Sequence, residues 1–143
     1  MKLTPHIIVS DAAGFIDFCK KAFGAVELAR MNETNGKRIM HAHIKIDESD
    51  VMLCDEFPEM GGKSAKTLGA NPVTLNLTVS DADKSAAAAE ASGAKVTMPV
   101  ADQFWGDRYG QVVDPFGNTW AFNQPKEKLS AEEIQKRMAG ASH

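Results

Sequence analysis

The sequence predicts an α+β fold of two tandem βαβββ modules followed by a short C-terminal helix, and three observations carry that reading. Val9-Ser10-Asp11-Ala12 recurs 70 residues later as Val79-Ser80-Asp81-Ala82, and Gly24-Ala25 recurs 69 residues later as Gly93-Ala94. The order of local signals within the two copies is the same. Each copy also ends in two apolar runs joined by Gly/Pro/Asn/Asp turn residues, which supply the dihedrals a hairpin needs.

Module one spans about residues 1–62, a linker about 63–72, module two about 73–124, and a tail with a helix 125–143, together one domain, 1–143. Each module opens on an extended apolar segment, Ile7-Ile8-Val9 or Leu75-Asn76-Leu77-Thr78-Val79. Ser and Asp then cap a helix, because their oxygens accept bonds from first-turn N–H groups. Phe15, Phe18, Cys19 and Phe23 follow at helical spacing in copy one. In copy two, residues 86–91 form a strong helix with a small-residue face that can lie close to a sheet. Gly24 and Gly93, tolerant of the left-handed conformation, stop the two helices. A second strand and a loop come next, then the hairpins. These are residues 38–46 and 51–55 around Asp47-Glu48-Ser49-Asp50, and residues 109–113 and 119–123 around Asp114-Pro115-Phe116-Gly117-Asn118. The run from Asp55 to the linker, with its Pro, paired Gly and charges, reads as a mobile surface loop. Ser130-Ala131-Glu132-Glu133 is a capping box opening a helix to about Met138.

Composition bounds what such a chain does. Its 143 residues carry 16 Lys+Arg against 19 Asp+Glu, a net charge of −3, and 43% are hydrophobic. One core is affordable at this length without disulfides or structural metal. Scattered basic residues argue against a nucleic-acid partner, since phosphate affinity comes from clustered Lys/Arg. No run approaches the roughly 20 apolar residues of a membrane span, and no secretory leader develops, so no membrane partner is expected and a cytoplasmic location is. Cys19 and Cys54 lack metal-type spacing and read as buried small hydrophobes. Gly61-Gly62-Lys63-Ser64 lacks the context of a phosphate loop, and no nucleophile elbow is present.

The paired modules, the Val-Ser-Asp helix starts and the Asp114-Pro115-Phe116-Gly117-Asn118 turn resemble the vicinal oxygen chelate superfamily over about residues 3–124. That superfamily includes glyoxalase I, ring-cleaving dioxygenases, and fosfomycin and bleomycin resistance proteins. Residues 18–24, 38–42, 52–56 and 104–110 resemble its PhnB-like branch. The resemblance implies concave mixed sheets, helices on their convex side, and a small molecule inside. Alternation then puts Pro5, Ile7 and Val9, and Leu75, Leu77 and Val79, toward the helices. Thr4, His6 and Ile8, and Thr74, Asn76 and Thr78, face the cavity. On the next strand Met40, Ala42, Ile44 and Ile46 form the apolar face, so His41 and His43 share the other.

The resemblance further implies a metal-binding His seven residues before each helix-starting Asp, and a Glu seven residues after the turn Asp. Those positions hold Thr4, Thr74 and Ala121, and aligning the hairpins adds Leu53 in copy one. Hydroxyls and alkyl groups do not hold a first-row divalent ion, so metal is not expected at the usual positions. This argues against a standard glyoxalase I or extradiol dioxygenase. Two residues further along each strand stand His6, Asp55, Asn76 and Asn123. His6 and Asp55, with His41 or His43 (the set His6, His43, Asp55 foremost), offer a displaced two-histidine, one-carboxylate metal set; the alternative is a wet polar cavity without metal. His41 and His43 either bind a ligand and transfer protons or lie at a sheet surface under a loop or second subunit.

In Phe104-Trp105-Gly106-Asp107-Arg108-Tyr109-Gly110, the aromatics offer flat walls and Arg108 a planar fork for an anion, unless Asp107 and Arg108 pair locally. Trp120 reads as core. The expectation is a small polar ligand and no obligatory cofactor. His6, His41 and His43 would be catalytic if the chain is an enzyme, with Asn76, Trp105, Asp107, Arg108 and Asn123 binding substrate. The alternatives are a metal-dependent lyase, isomerase or dioxygenase-like enzyme on the displaced site, a metal-free protein sequestering an antibiotic or toxin, and a catalytically empty relative used for assembly. A homodimer is expected, because open sheets must close against something.

Overall fold

The computed structural model describes residues 1–141, so the last two residues of the predicted tail lie outside the described residues. Strand β1 (His6–Val9) leads through Asp11, whose Oδ1 accepts a bond from the Gly14 N–H at 3.0 Å, into helix α1 (Ala12–Phe23). The helix buries Ala12, Phe15, Ile16, Phe18 and Cys19 along one stripe. It ends where Gly24 adopts φ +67°, a conformation a side chain would oppose. Strands β2 (Val26–Asn32), β3 (Ile39–Ile46) and β4 (Ser49–Asp55) complete the first module.

The linker is more ordered than its composition predicts. A single 3₁₀ turn at Pro58–Met60 precedes helix α2 (Ala65–Leu68). The Ser64 N–H donates to Glu56 Oε1 at 2.6 Å, while the Ser64 hydroxyl caps the Thr67 N–H at 3.2 Å. Fully buried, Ser64 pins this segment rather than letting it swing.

The second module repeats the plan with β5 (Thr74–Thr78), α3 (Ala82–Ala91), β6 (Lys95–Asp102), β7 (Asp107–Val113) and β8 (Thr119–Pro125). Helix α4 (Ala131–Ala141) follows, its Glu133 N–H donating to the Ser130 hydroxyl at 3.1 Å as the capping box requires. The sheets have matching orders, β1-β4-β3-β2 and β5-β8-β7-β6; β1 and β5 run parallel to their neighbours and the remaining pairs are antiparallel.

A single apolar cluster joins the two modules. Phe15, Ile16 and Cys19 of α1 and Ala82, Ala86 and Ala89 of α3 meet Val9, Ile44 and Leu53 of the first sheet and Val112, Trp120 and Phe122 of the second. The helices pack on each other and on their own sheets, and the rings of Phe15 and Phe23 reach Trp120 with centroids 6.3 and 4.6 Å away. The helices therefore form the inner layers, and each sheet turns its other face away from the core.

One predicted core residue is misplaced. Met40 is exposed and Ile39 buried in its stead, because a bulge opposite Met31 and Asn32 breaks the alternation where β3 begins.

Candidate functional site

The open face of the first sheet is built by cross-strand neighbours. His6 pairs with Met52, Met52 with His43, and Ile8 with Cys54, so these residues lie in adjacent rows. His41, two residues before His43, shares the face and stacks its ring on His6 with centroids 6.1 Å apart. The structure thus brings His6, His41 and His43 together, His6 exposed and the others half-buried.

Asp50, which sequence reasoning missed, completes this group. Its Oδ1 lies 2.8 Å from His43 Nε2, and its second oxygen takes the Lys2 ammonium. Hydrogen bonds from Lys2 and then His43 hold the Asp50 carboxyl at about 2, against an ordinary 3.8. An ionised carboxylate fixes the ring and leaves His43 Nδ1 as the nitrogen a ligand can meet. The signal for it is Asp50's facing: Asp50 lies two residues before Met52 on β4 and so shares its face, although the turn-forming run Asp47-Glu48-Ser49-Asp50 reads as a loop in sequence. The hairpin is tighter, turning at Asp47, whose φ is +49°, and Glu48.

Asp55 does not join the histidines. Its Oδ1 accepts the Ala12 N–H at 2.7 Å and its Oδ2 the Ile39 N–H at 2.6 Å, both on the helix side of β4. Leu53 shares that side and is fully buried. The residue matching Ala121 is Met52, since His6 pairs with Met52 as Asn76 pairs with Ala121. A slip of one residue in aligning the hairpins exchanges the faces of a strand. The displaced set of His6, His43 and Asp55 is consequently not assembled, and among the described residues no three His, Cys, Asp or Glu side chains are placed to hold an ion.

The open face of the second sheet is polar. One row runs Asn76, Ala121, Gln111, and the next Thr78, Asn123, Tyr109. Gln111 Nε2 donates to the Tyr109 hydroxyl at 2.9 Å. Trp105 sets its edge on Tyr109 and Phe104 at centroid distances of 5.5 and 5.0 Å, and Asp107 alternates onto the same face. Asn76 also borders a cleft of about 770 Å³ between this sheet, Phe23 and the Asp47-Glu48 turn.

Arg108 points the other way. Its Nε and Nη2 donate to both oxygens of Asp83 in the first turn of α3, at 2.6 and 2.9 Å, and Nη1 donates to Asp102 at 3.2 Å. The fork expected to take a ligand instead ties β7 to α3 and β6. Asn76, Trp105, Asp107 and Asn123 therefore share the second face without Arg108, and the three histidines lie on the other sheet.

Comparisons with known proteins agree with this architecture. Rv0887c of Mycobacterium tuberculosis is 48% identical over 140 residues, covering 96% of this chain and 82% of its own. The Arabidopsis thaliana protein At5g48480 is 32% identical over 124 residues, covering 82% and 74%. Its X-ray structure superposes with a TM-score of 0.70 at 26% identity, over 86% of this chain and 98% of that one. PA1353 from Pseudomonas aeruginosa shares the fold, with a TM-score of 0.71 at 20% identity over 89% of this chain and 99% of its own. So does a Bacillus cereus structure described as a putative 3-demethylubiquinone-9 3-methyltransferase, PhnB protein, with a TM-score of 0.67 at 13% identity over 87% and 99%. The sequence model of the Glyoxalase/Bleomycin resistance protein/Dioxygenase superfamily matches residues 3–122, most of the chain, and the chain belongs to that superfamily.

Proposed function

We propose that this protein binds a small polar organic molecule between the open face of sheet one and the open face of sheet two of a second copy. The observation that carries the reading is the pair of uncovered, unlike faces. Within one chain they point away from a common core, one presenting histidines among Met52, Cys54 and Ile8, the other presenting Asn76, Asn123 and Asp107 without side-chain partners among the described residues. Apposing them closes both faces and gives a ligand an imidazole on one side and amide groups on the other.

Metal does not enter this reading. Thr4, Met52, Thr74 and Ala121 occupy the positions a superfamily ion would use, and neither hydroxyls, a lone thioether nor a methyl group suits a divalent ion. The protein is read as cytoplasmic and without a membrane partner, and the net charge of −3 with scattered basic residues supports reading it without a nucleic-acid partner; no described helix is long and apolar enough to cross a membrane.

A second reading, catalysis, is favoured by the 2.8 Å contact of Asp50 with His43, the arrangement that orients an imidazole as a general base. Sedimentation equilibrium and a thermal-shift screen of polar metabolites test both. A dimer is expected, with a ligand whose stabilisation Asn123→Ala abolishes. His43→Ala would keep that affinity but lose turnover under the catalytic reading. A monomer at micromolar concentration, or ligand shifts untouched by Asn123→Ala, would overturn the proposal.

A further inference from the structure

Alternate positions of β3 carry His41, His43 and Lys45, so a row of nitrogen donors runs along the open face of the first sheet. Lys45 is paired across the strands with Asp50, the one carboxylate in the paired rows of that face among the described residues. Both oxygens of Asp50 are already engaged, one by His43 and the other by the Lys2 ammonium. Two ammonium groups and the imidazoles of His6, His41 and His43 therefore stand against a single, satisfied carboxylate, on a chain whose net charge is −3. His6 and His41 stack on each other, and no hydrogen bond among the described residues reaches either ring, while His43 uses Nε2 alone. Met31, Met52, Cys54 and Ile8 supply an apolar floor beside them. The open face of the second sheet is neutral at its centre, where Asn76, Gln111 and Asn123 lie, and sets Asp107 at one end of β7 against Lys95 at the other. Imidazole and ammonium donors gathered over an apolar floor are complementary to an anion with an apolar body.

We propose, resting on the open-face reading, that the molecule bound there is an organic anion. Its carboxylate or phosphate ester lies against His41, His43 and Lys45, and its compact apolar body lies on Met31, Met52 and Ile8. The charged head sets the specificity, and the amides of the facing sheet take the remaining polar groups.

The probes are benzoate, phenyl phosphate and the uncharged isostere benzamide, titrated into the full chain and followed by imidazole and amide nuclear magnetic resonance shifts. The better anion is expected to bind about tenfold more tightly than benzamide, through charge-assisted contacts, and to move the His41 and His43 signals. The tighter of the two anions distinguishes a carboxylate from a phosphate head. Lys45→Glu and His41→Gln are each expected to weaken the anions about tenfold and to leave benzamide unaffected. Lys66→Glu, the same charge change at an exposed position of α2, is expected to leave all three affinities unchanged. Benzamide binding as tightly as either anion, anion affinity unweakened by Lys45→Glu, or no binding of either anion would overturn the proposal. The open-face reading fails separately, through a monomer or through ligand shifts indifferent to Asn123→Ala. A dimer that binds benzamide as well as benzoate and phenyl phosphate would sink the anion alone.

Discussion

Asp114 shows how much one buried carboxylate organises. Its Oδ1 accepts the N–H groups of Phe116 and Asn118 at 2.8 and 2.9 Å, shaping the turn, while Oδ2 accepts Trp120 Nε1 at 2.8 Å. Burial pushes its carboxyl up, and these donors pull it partly back. Trp120→Phe strands Oδ2 without a donor and is expected to cost about 1–3 kcal/mol, read from urea unfolding. Asp50 behaves oppositely. Held near 2, it takes up a proton less readily folded than unfolded, so its contribution is complete above the ordinary carboxylate value and lost as pH falls through about 2. The stability gap between native chain and Asp50→Asn should therefore be steady near neutral pH and close between about pH 4 and pH 2; a gap that widens on acidification would contradict the pairing with Lys2 and His43. Neither residue's role was legible as chemistry. Asp114 was visible only as a turn former, and Arg108 looked like a ligand hook because its partner Asp83 lies 25 residues away in sequence.

At the scale of elements, period-two alternation placed β1 and β5 correctly: Val9 is buried, Leu75 and Leu77 pack on the core, and His6 and Asn76 face outward. It failed at Met40, where a bulge resets the phase, and at Leu53 and Asp55, where the two copies differ in offset by one residue. Such irregularities are set by strand pairing, which local pattern does not encode. β6 and β7 approach closely because position 110 has no side chain. A Cβ there would lie 2.7 Å from Val100 Cγ2 and 3.0 Å from the Met98 carbonyl oxygen. Gly110→Ala is thus expected to destabilise the chain by about 1–3 kcal/mol, measured by thermal unfolding. In the linker, Ser64→Ala removes the cap of α2, and amide exchange at Thr67, Leu68 and Gly69 should accelerate while the strands stay protected.

For the whole molecule, the decisive fact is that both modules share one core. Phe15 of the first touches Phe116 and Trp120 of the second, so Phe15→Ala should lower stability by about 3–5 kcal/mol. It should do so in one transition, with far-ultraviolet and near-ultraviolet circular dichroism coincident. Two staggered transitions would mean that the modules fold separately. Duplication and the βαβββ order could be read from repeats and caps, whereas the outward turn of the two faces could not, because it follows from helices packing against each other between the sheets. The tertiary placement of the two tryptophans has a further consequence. Trp120 lies inside the shared core on a carboxylate, and Trp105 lies on the open second face against Tyr109. The chain thus carries two built-in fluorophores for separate events: Trp120 emission follows folding, and Trp105 emission follows whatever comes to rest on the open face.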